Sequence, residues 1–221
     1  MENETNDNIY SGQKLEQWVI DKCDGWRDNY NNNYRTSHDE YYRLWRGIWA
    51  KEDSMRDTER SRIITPALQQ AVESSVAEVE EATFGRGRWF DIRDDVQDQN
   101  GSADIEFTRK QLDEDMQFGK ARSSISECLL NAAVFGTGIG EVYLEETKEH
   151  IPHTQQTPEG MQAGGVLERN RFLVKLRPIM PQNFLIDPLA TSIEEALGCA
   201  VDMYVPKHQV EMDIEKGIYR D

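Results

Sequence analysis

The sequence predicts an α+β protein: a helix-rich N-terminal half followed by a small, mostly antiparallel sheet with flanking helices. Three observations carry this. Before residue 136, apolar residues recur at the three-to-four spacing of helix faces, beginning with Leu15, Trp18, Val19, Cys23 and Trp26. After residue 138, "IGEVYLEET" and "RFLVKLRPI" are rich in β-branched and aromatic residues, and the second alternates Phe172, Val174 and Leu176. Between the two regimes stand Gly136, Gly138 and Gly140, in "LLNAAVFGTGIGEVYLEE". The expected division is a disordered N-terminus over 1–11, a helical part over 12–136 and a β-containing part over 137–221.

The first helix is expected from Gln13 to about Tyr30, where "NYNNNYRTSHDE" interrupts it, because asparagine favours turns. Ser37 and Glu40 form a capping box, so a second helix should start there. It carries Tyr41, Tyr42, Leu44, Trp45, Ile48 and Trp49, an aromatic stripe that reads as core or subunit contact. A base-stacking platform would need a basic groove. Arg43, Arg46, Lys51, Arg56, Arg60 and Arg62 are diluted by Glu40, Glu52, Asp53, Asp57 and Glu59, which makes this a mixed, solvated face.

The clearest helix is "TPALQQAVESSVAEVEEATFG". Thr65 is its cap, Pro66 its first residue and Gly85 its stop, with Leu68, Val72, Val76, Val79 and Thr83 on one face. Trp89, Phe90 and Ile92 read as a short strand or a clamp, and "DDVQDQNGSAD" as a polar loop. A helical stretch runs from about Ser102 to Phe135 with a break at Gly119. Past the glycines, "KEHIPHTQQTPEGMQAGGVLERN" reads as a loop or loose hairpin tip between two strands. "MPQNFLIDPLATSIEEALG" is irregular, with a turn at Asp187-Pro188 and a short helix opened by Ser192. "CAVDMYVP" is a third strand, and a last helix has Pro206 at its first position and Gly217 at its end.

Charge narrows the function. The 221 residues carry 41 acidic and 25 basic side chains, a net charge of −16. That balance opposes wrapping nucleic acid with a basic face, and opposes docking on an anionic membrane. "MENETNDNIYSG" has neither a basic nor an apolar leader segment, and no apolar run is long enough to span a bilayer. Cys23, Cys128 and Cys199 are odd in number and far apart, which reads as reduced, buried thiols in a cytosolic setting.

The glycines raise the question of an enzyme. A dinucleotide site needs a strand, a glycine loop and then a helix, because the helix N-terminus meets the pyrophosphate. Here the order is reversed. A P-loop would need a lysine after its second glycine, and Thr137 has none following. Gly136, Gly138 and Gly140 therefore read as helix-to-strand punctuation with close backbone packing. His150 and His153 lie near Glu145, Glu146 and Glu149, but in a polar segment that reads as a solvated loop rather than zinc ligands. "DKCDGWRDN" does not fit an EF-hand loop. No catalytic, cofactor-binding or metal-ligating residue is assigned, and no cofactor is expected.

Four segments in order resemble the N-terminal part of a tailed-bacteriophage portal protein, the head–tail connector of podovirus type. They are the aromatic start "YYRLWRG", "ITPALQQAVESSVAEVEEATFGRGRWFDI", "LLNAAVFGTGIGEVYLEE" and "LRPIMPQNFLIDPLATSIEEALGCAVDMYVPKHQV", together about residues 37 to 217. The resemblance implies a non-enzymatic ring subunit, usually one of twelve, at one capsid vertex. Such rings pass double-stranded DNA without sequence-specific binding and meet capsid and scaffolding proteins, the terminase and tail adaptors. They assemble in the host cytoplasm and end in the virion. This region would be the wing, outside the channel, with no membrane partner. The family continues into a stem, clip and crown that are not in this sequence, which reads as a fragment. Trp18, Trp26, Trp45, Trp49 and Trp89 are the candidate core and interface anchors. Two alternatives stand beside this: an acidic adaptor or scaffold that binds partner proteins, and a nucleotide-binding enzyme using residues 136–140.

Overall fold

The computed structural model describes residues 12–50, 64–85, 87, 89–92, 101–157 and 160–219. The expected disordered segment at 1–11, the charged residues at 51–63 and most of the polar loop after Ile92 lie outside the described residues. The helices are α1 (Gly12–Asn33), α2 (Arg35–Trp45), α3 (Ala67–Phe84), α4 (Gly101–Phe118), α5 (Ala121–Phe135) and α6 (Lys207–Glu215). The strands are β1 (Ile139–Thr157), β2 (Gly160–Ile179), β3 (Phe184–Ile186) and β4 (Cys199–Val201), paired as two separate two-stranded antiparallel sheets. The fold is α+β. By contact the chain groups into Met1–Arg43 with Met180–Asp221, and Leu44–Ile179, a division that differs from the one composition draws at residue 136.

In the first unit, the asparagine run does not break the helix where a turn was expected. Asn33 Nδ2 donates to the Asn29 carbonyl and to Asn29 Oδ1 at 3.1 and 2.7 Å, so these side chains bond along the helix they were expected to end. The rings of Tyr30, Tyr34, His38 and Tyr41 stand in a row with neighbouring centroids 5.6–6.4 Å apart. The interruption shrinks to Tyr34, whose N–H still reaches the Tyr30 carbonyl at 2.9 Å. Ser37 consequently lies inside α2 rather than capping it, and Glu40 pairs with Arg43.

Leu185 on β3, only 2% exposed, is the most buried side chain of this unit. Trp26 covers Gly198 so closely that a Cβ there would sit 3.2 Å from the ring. Arg27 forks onto Asp202, donating from Nε and Nη2 at 3.0 and 2.8 Å, and reaches Asp24 at 2.7 Å. Ser192 opens no helix. The Asp187 carboxylate accepts from the amides of Leu189 and Leu197 at 3.1 and 3.4 Å, and Ser192 Oγ from that of Glu195. Short polar side chains thus give the backbone local partners that compete with helical ones. α6 starts one residue after Pro206 and ends before Gly217, whose φ is +74°.

In the second unit, α3 packs on α5, and α5 on the β1–β2 ribbon. The buried stripe of α3 is rotated from the expected one. Val76 and Phe84 are buried, while Leu68 and Val79 are nearly half exposed. Phe84 sets this phase: Trp89 meets its ring edge-on at 5.4 Å, and Arg122 lies over it at 5.1 Å. Trp89 is thus a clamp rather than a strand residue. The α4–α5 break falls where expected. A Cβ at Gly119 would sit 2.7 Å from the Val174 carbonyl oxygen, and Lys120 then takes a left-handed turn at φ 54°.

The ribbon corrects the loop expected over 148–170. β1 and β2 pair from Ile139↔Ile179 to Thr157↔Gly160, with one register shift between Pro152 and Thr154. Ladder bonds are made by backbone, so polar side chains do not prevent pairing. The alternation signal fades because the side chains at 146–150 and 168–170 are exposed on both faces.

The Arg27–Asp202 pair carries a pH prediction. The hydrogen bond from Arg27, helped by its charge and opposed by desolvation, holds the Asp202 carboxyl below the usual aspartate range. The ionised form therefore stabilises the fold above the unfolded value of about 4, and that contribution disappears as pH falls through the lower folded value. Urea midpoints taken across this window should fall with acid in the wild type and fall less steeply in Asp202→Asn.

Candidate functional site

The feature that bears on the nucleotide-loop reading of residues 136–140 is the passage from α5 to β1. α5 ends at Phe135, and Gly136 at φ 82° closes it, its N–H donating to the Ala132 carbonyl at 2.9 Å. β1 begins three residues later. A Cβ on Gly138 would fall inside van der Waals contact of the Cys128 carbonyl and 3.2 Å from Ala132 Cβ. One on Gly140 would meet Leu176 Cδ1 at 2.9 Å and Cys128 Sγ at 3.3 Å. The glycines let the ribbon's first residues lie directly on the last two turns of α5.

Electrostatics separates this from a phosphate cradle. The backbone arrives at the C-terminal end of α5, where unpaired carbonyls carry partial negative charge. An anion there meets oxygen rather than N–H groups. The Cys128 thiol donates to the Ile139 carbonyl at 3.3 Å, and burial, aided by the charge of Glu127, pushes its pKa up. A protonated, half-buried thiol holding a carbonyl is a structural group.

Beyond the junction, the ribbon has two unlike faces. One bears Glu141, Tyr143, Glu145, Leu173, Lys175 and Arg177, with Leu173 buried, Arg177 paired to Glu141 and Lys175 to Glu145. From the same face Arg171 reaches Asp115 of α4 at 2.7 Å and lies over Phe118 at 4.5 Å. The other face bears Val142, Leu144, Phe172 and Val174, exposed by 69, 69, 62 and 43%. The sequence showed the alternation, but not which face the chain's own helices leave open.

The other expected residues fall apart from one another. His150 sits on β1 opposite Glu168 in the ladder, and the side chain of His153 lies outside the described residues. Among the described residues no group of three His, Cys, Asp or Glu side chains could hold a metal ion. Trp26, Trp45 and Trp89 are half-buried, while Trp18 and Trp49 are exposed. The expectation of buried thiols fails at Cys199, which is exposed at the end of a short strand, and Cys23 and Cys128 are half-buried. A hollow of about 660 Å³ in the second unit is lined by Phe84 and Trp89 with Glu80, Asp113, Lys120 and Arg122. Two acids offset two bases there, so the lining favours neither sign of ligand. No described helix is long and apolar enough to cross a membrane.

No protein-family model matches the chain, and no curated protein matches it either.

The close approach at the junction fixes the outcome of a substitution. Gly138→Ala forces a methyl against the Cys128 carbonyl and should lower unfolding free energy by about 1–3 kcal/mol, read from urea denaturation. Calorimetric titration of the wild type with ATP or NAD should give no saturable heat. Saturable binding lost in Gly138→Val would return the nucleotide reading.

Proposed function

We propose that this chain is a structural subunit of a tailed-bacteriophage portal ring. It would form part of a closed ring, dodecameric by the resemblance, at one capsid vertex. The ring would serve as a conduit for packaging and ejecting double-stranded DNA, and as the attachment point for terminase and tail. The observation that carries this reading is the colinear set of resembling segments centred on "GTGIGEVY", a stretch the chain builds as a helix-to-strand handover. That geometry supports a framework role over a phosphate-binding one.

Charge supports the same reading. A protein that neutralises many phosphates gains affinity by releasing counterions, and a conduit that gripped DNA in this way would stall it. A net charge of −16 works in the opposite sense wherever its acidic residues face the passing DNA. A ring also requires two different, complementary patches on every subunit. The competing reading, an acidic adaptor, draws on the loop held by Asp187, which leaves Leu189, Ile193 and Leu197 exposed by 91, 64 and 59%. The two readings differ in subunit number.

Light scattering coupled to sizing, followed by negative-stain imaging, separates them. The portal reading expects closed rings of a single high order. A strict monomer at every concentration overturns it.

A further inference from the structure

We infer that the apolar face of the β1–β2 ribbon, formed by Val142, Leu144, Phe172 and Val174, is a contact surface between copies of this chain. The inference deepens the ring reading by naming one of its two patches, and it rests on that reading only for the number of copies joined.

The residues are neighbours by register. Leu144 pairs with Val174, Val142 with Leu176, and Phe172 lies diagonally across from Leu144 on the same face. Their exposed area is roughly 400 Å². Scattered apolar residues at a surface are ordinary, whereas a contiguous group of this size matches the largest patch of a typical monomer, which is often functional. The opposite face is already used by Leu173 and by the Arg171–Asp115 pair to α4. On the apolar side, α5 covers the root, where Cys128 lies against Gly140, while Val142, Leu144, Phe172 and Val174 stay exposed. A two-stranded ribbon in water is marginal on its own and gains stability when a second layer covers it.

Charge identifies the occupant. Residues 139–179 hold six acidic and five basic side chains, so of the chain's −16 only −1 falls on the ribbon and −15 on the rest. A basic partner is drawn to the acidic remainder. DNA, polyanionic itself, is repelled by most of the molecule. A nearly neutral apolar patch is what a strongly acidic protein needs to meet another equally acidic one, and the acidic protein always present at matching concentration is a second copy. The apolar group supplies about half of the ~800 Å² that each partner contributes to a standard interface. Glu146, Lys148, His150, Glu168 and Asn170 continue along the same face as a polar rim of both signs.

The test compares the full chain with Leu144→Glu/Phe172→Glu. Both positions are exposed, so the fold should tolerate the change, which circular dichroism and the urea midpoint check. Phe107→Glu, at an equally exposed apolar residue of α4, is the control. Sedimentation velocity over a wide concentration range should show the wild type and the control associating, with the double variant at least about tenfold weaker. If wild type and double variant form the same ring, the inference is overturned and the ring reading survives. If the wild type forms only a dimer that the double variant abolishes, the inference stands and the ring reading falls. A wild-type monomer at all concentrations overturns both.

Discussion

The second unit depends on one steric constraint. The root of a long two-stranded ribbon lies directly on the end of α5, and it can do so only where two residues have no side chain. Gly138 and Gly140 face Cys128, whose carbonyl and sulfur occupy the space a Cβ would need. The thiol then closes the contact by bonding the Ile139 carbonyl. From this point the strand direction is set, Ile139 is placed opposite Ile179, and the register of the ribbon follows. The same constraint disfavours an anion at this junction, because the backbone meets the carbonyl end of a helix.

Around this fixed point the chain spends much of its charge locally. Glu40–Arg43, Glu106–Arg109 and Lys207–Glu211 are one helical turn apart, and Glu141–Arg177 and Glu145–Lys175 cross the ladder at its root. Exposed pairs of this kind contribute little each. Their value lies in cancelling charge where elements must approach. That cancellation is nearly complete on the ribbon and absent over the chain as a whole. Val142 and Leu144 on the ribbon and Leu189 in the Asp187 loop are exposed where charge has been cancelled or fixed by loop bonds.

Much of the architecture was legible in the sequence because the signals were local. The break at Gly119, the end of α5 at Gly136, the strand after it and the turn at Asp187 each follow from residues with strong local preferences: glycine where a helix stops, β-branched residues in a strand, and proline after Asp187. What escaped depended on partners distant in sequence or on several side chains acting together. Asn29 and Asn33 favour turns singly but bond each other along a helix already held by a row of rings. At 146–150 and 168–170 the strands lack apolar alternation because the side chains there are exposed on both faces. The stripe on α3 turned because Phe84, outside the expected face, meets Trp89 and Arg122. The candidate site divides in the same way: the glycine junction was readable from element order, whereas the open face of the ribbon required knowing where the helices lie.

The joint between α4 and α5 has a consequence of its own. Gly119 touches the Val174 carbonyl and Lys120 makes a single left-handed step, so two residues alone fix the rotational phase at which α5 starts. Each residue of a helix turns it by about 100°. An insertion or deletion of one residue here would swing Cys128 off the ribbon and Phe135 out of its buried position, although neither side chain had changed. The spacing from Gly119 to Gly136 therefore acts as a unit of measure for the whole joint.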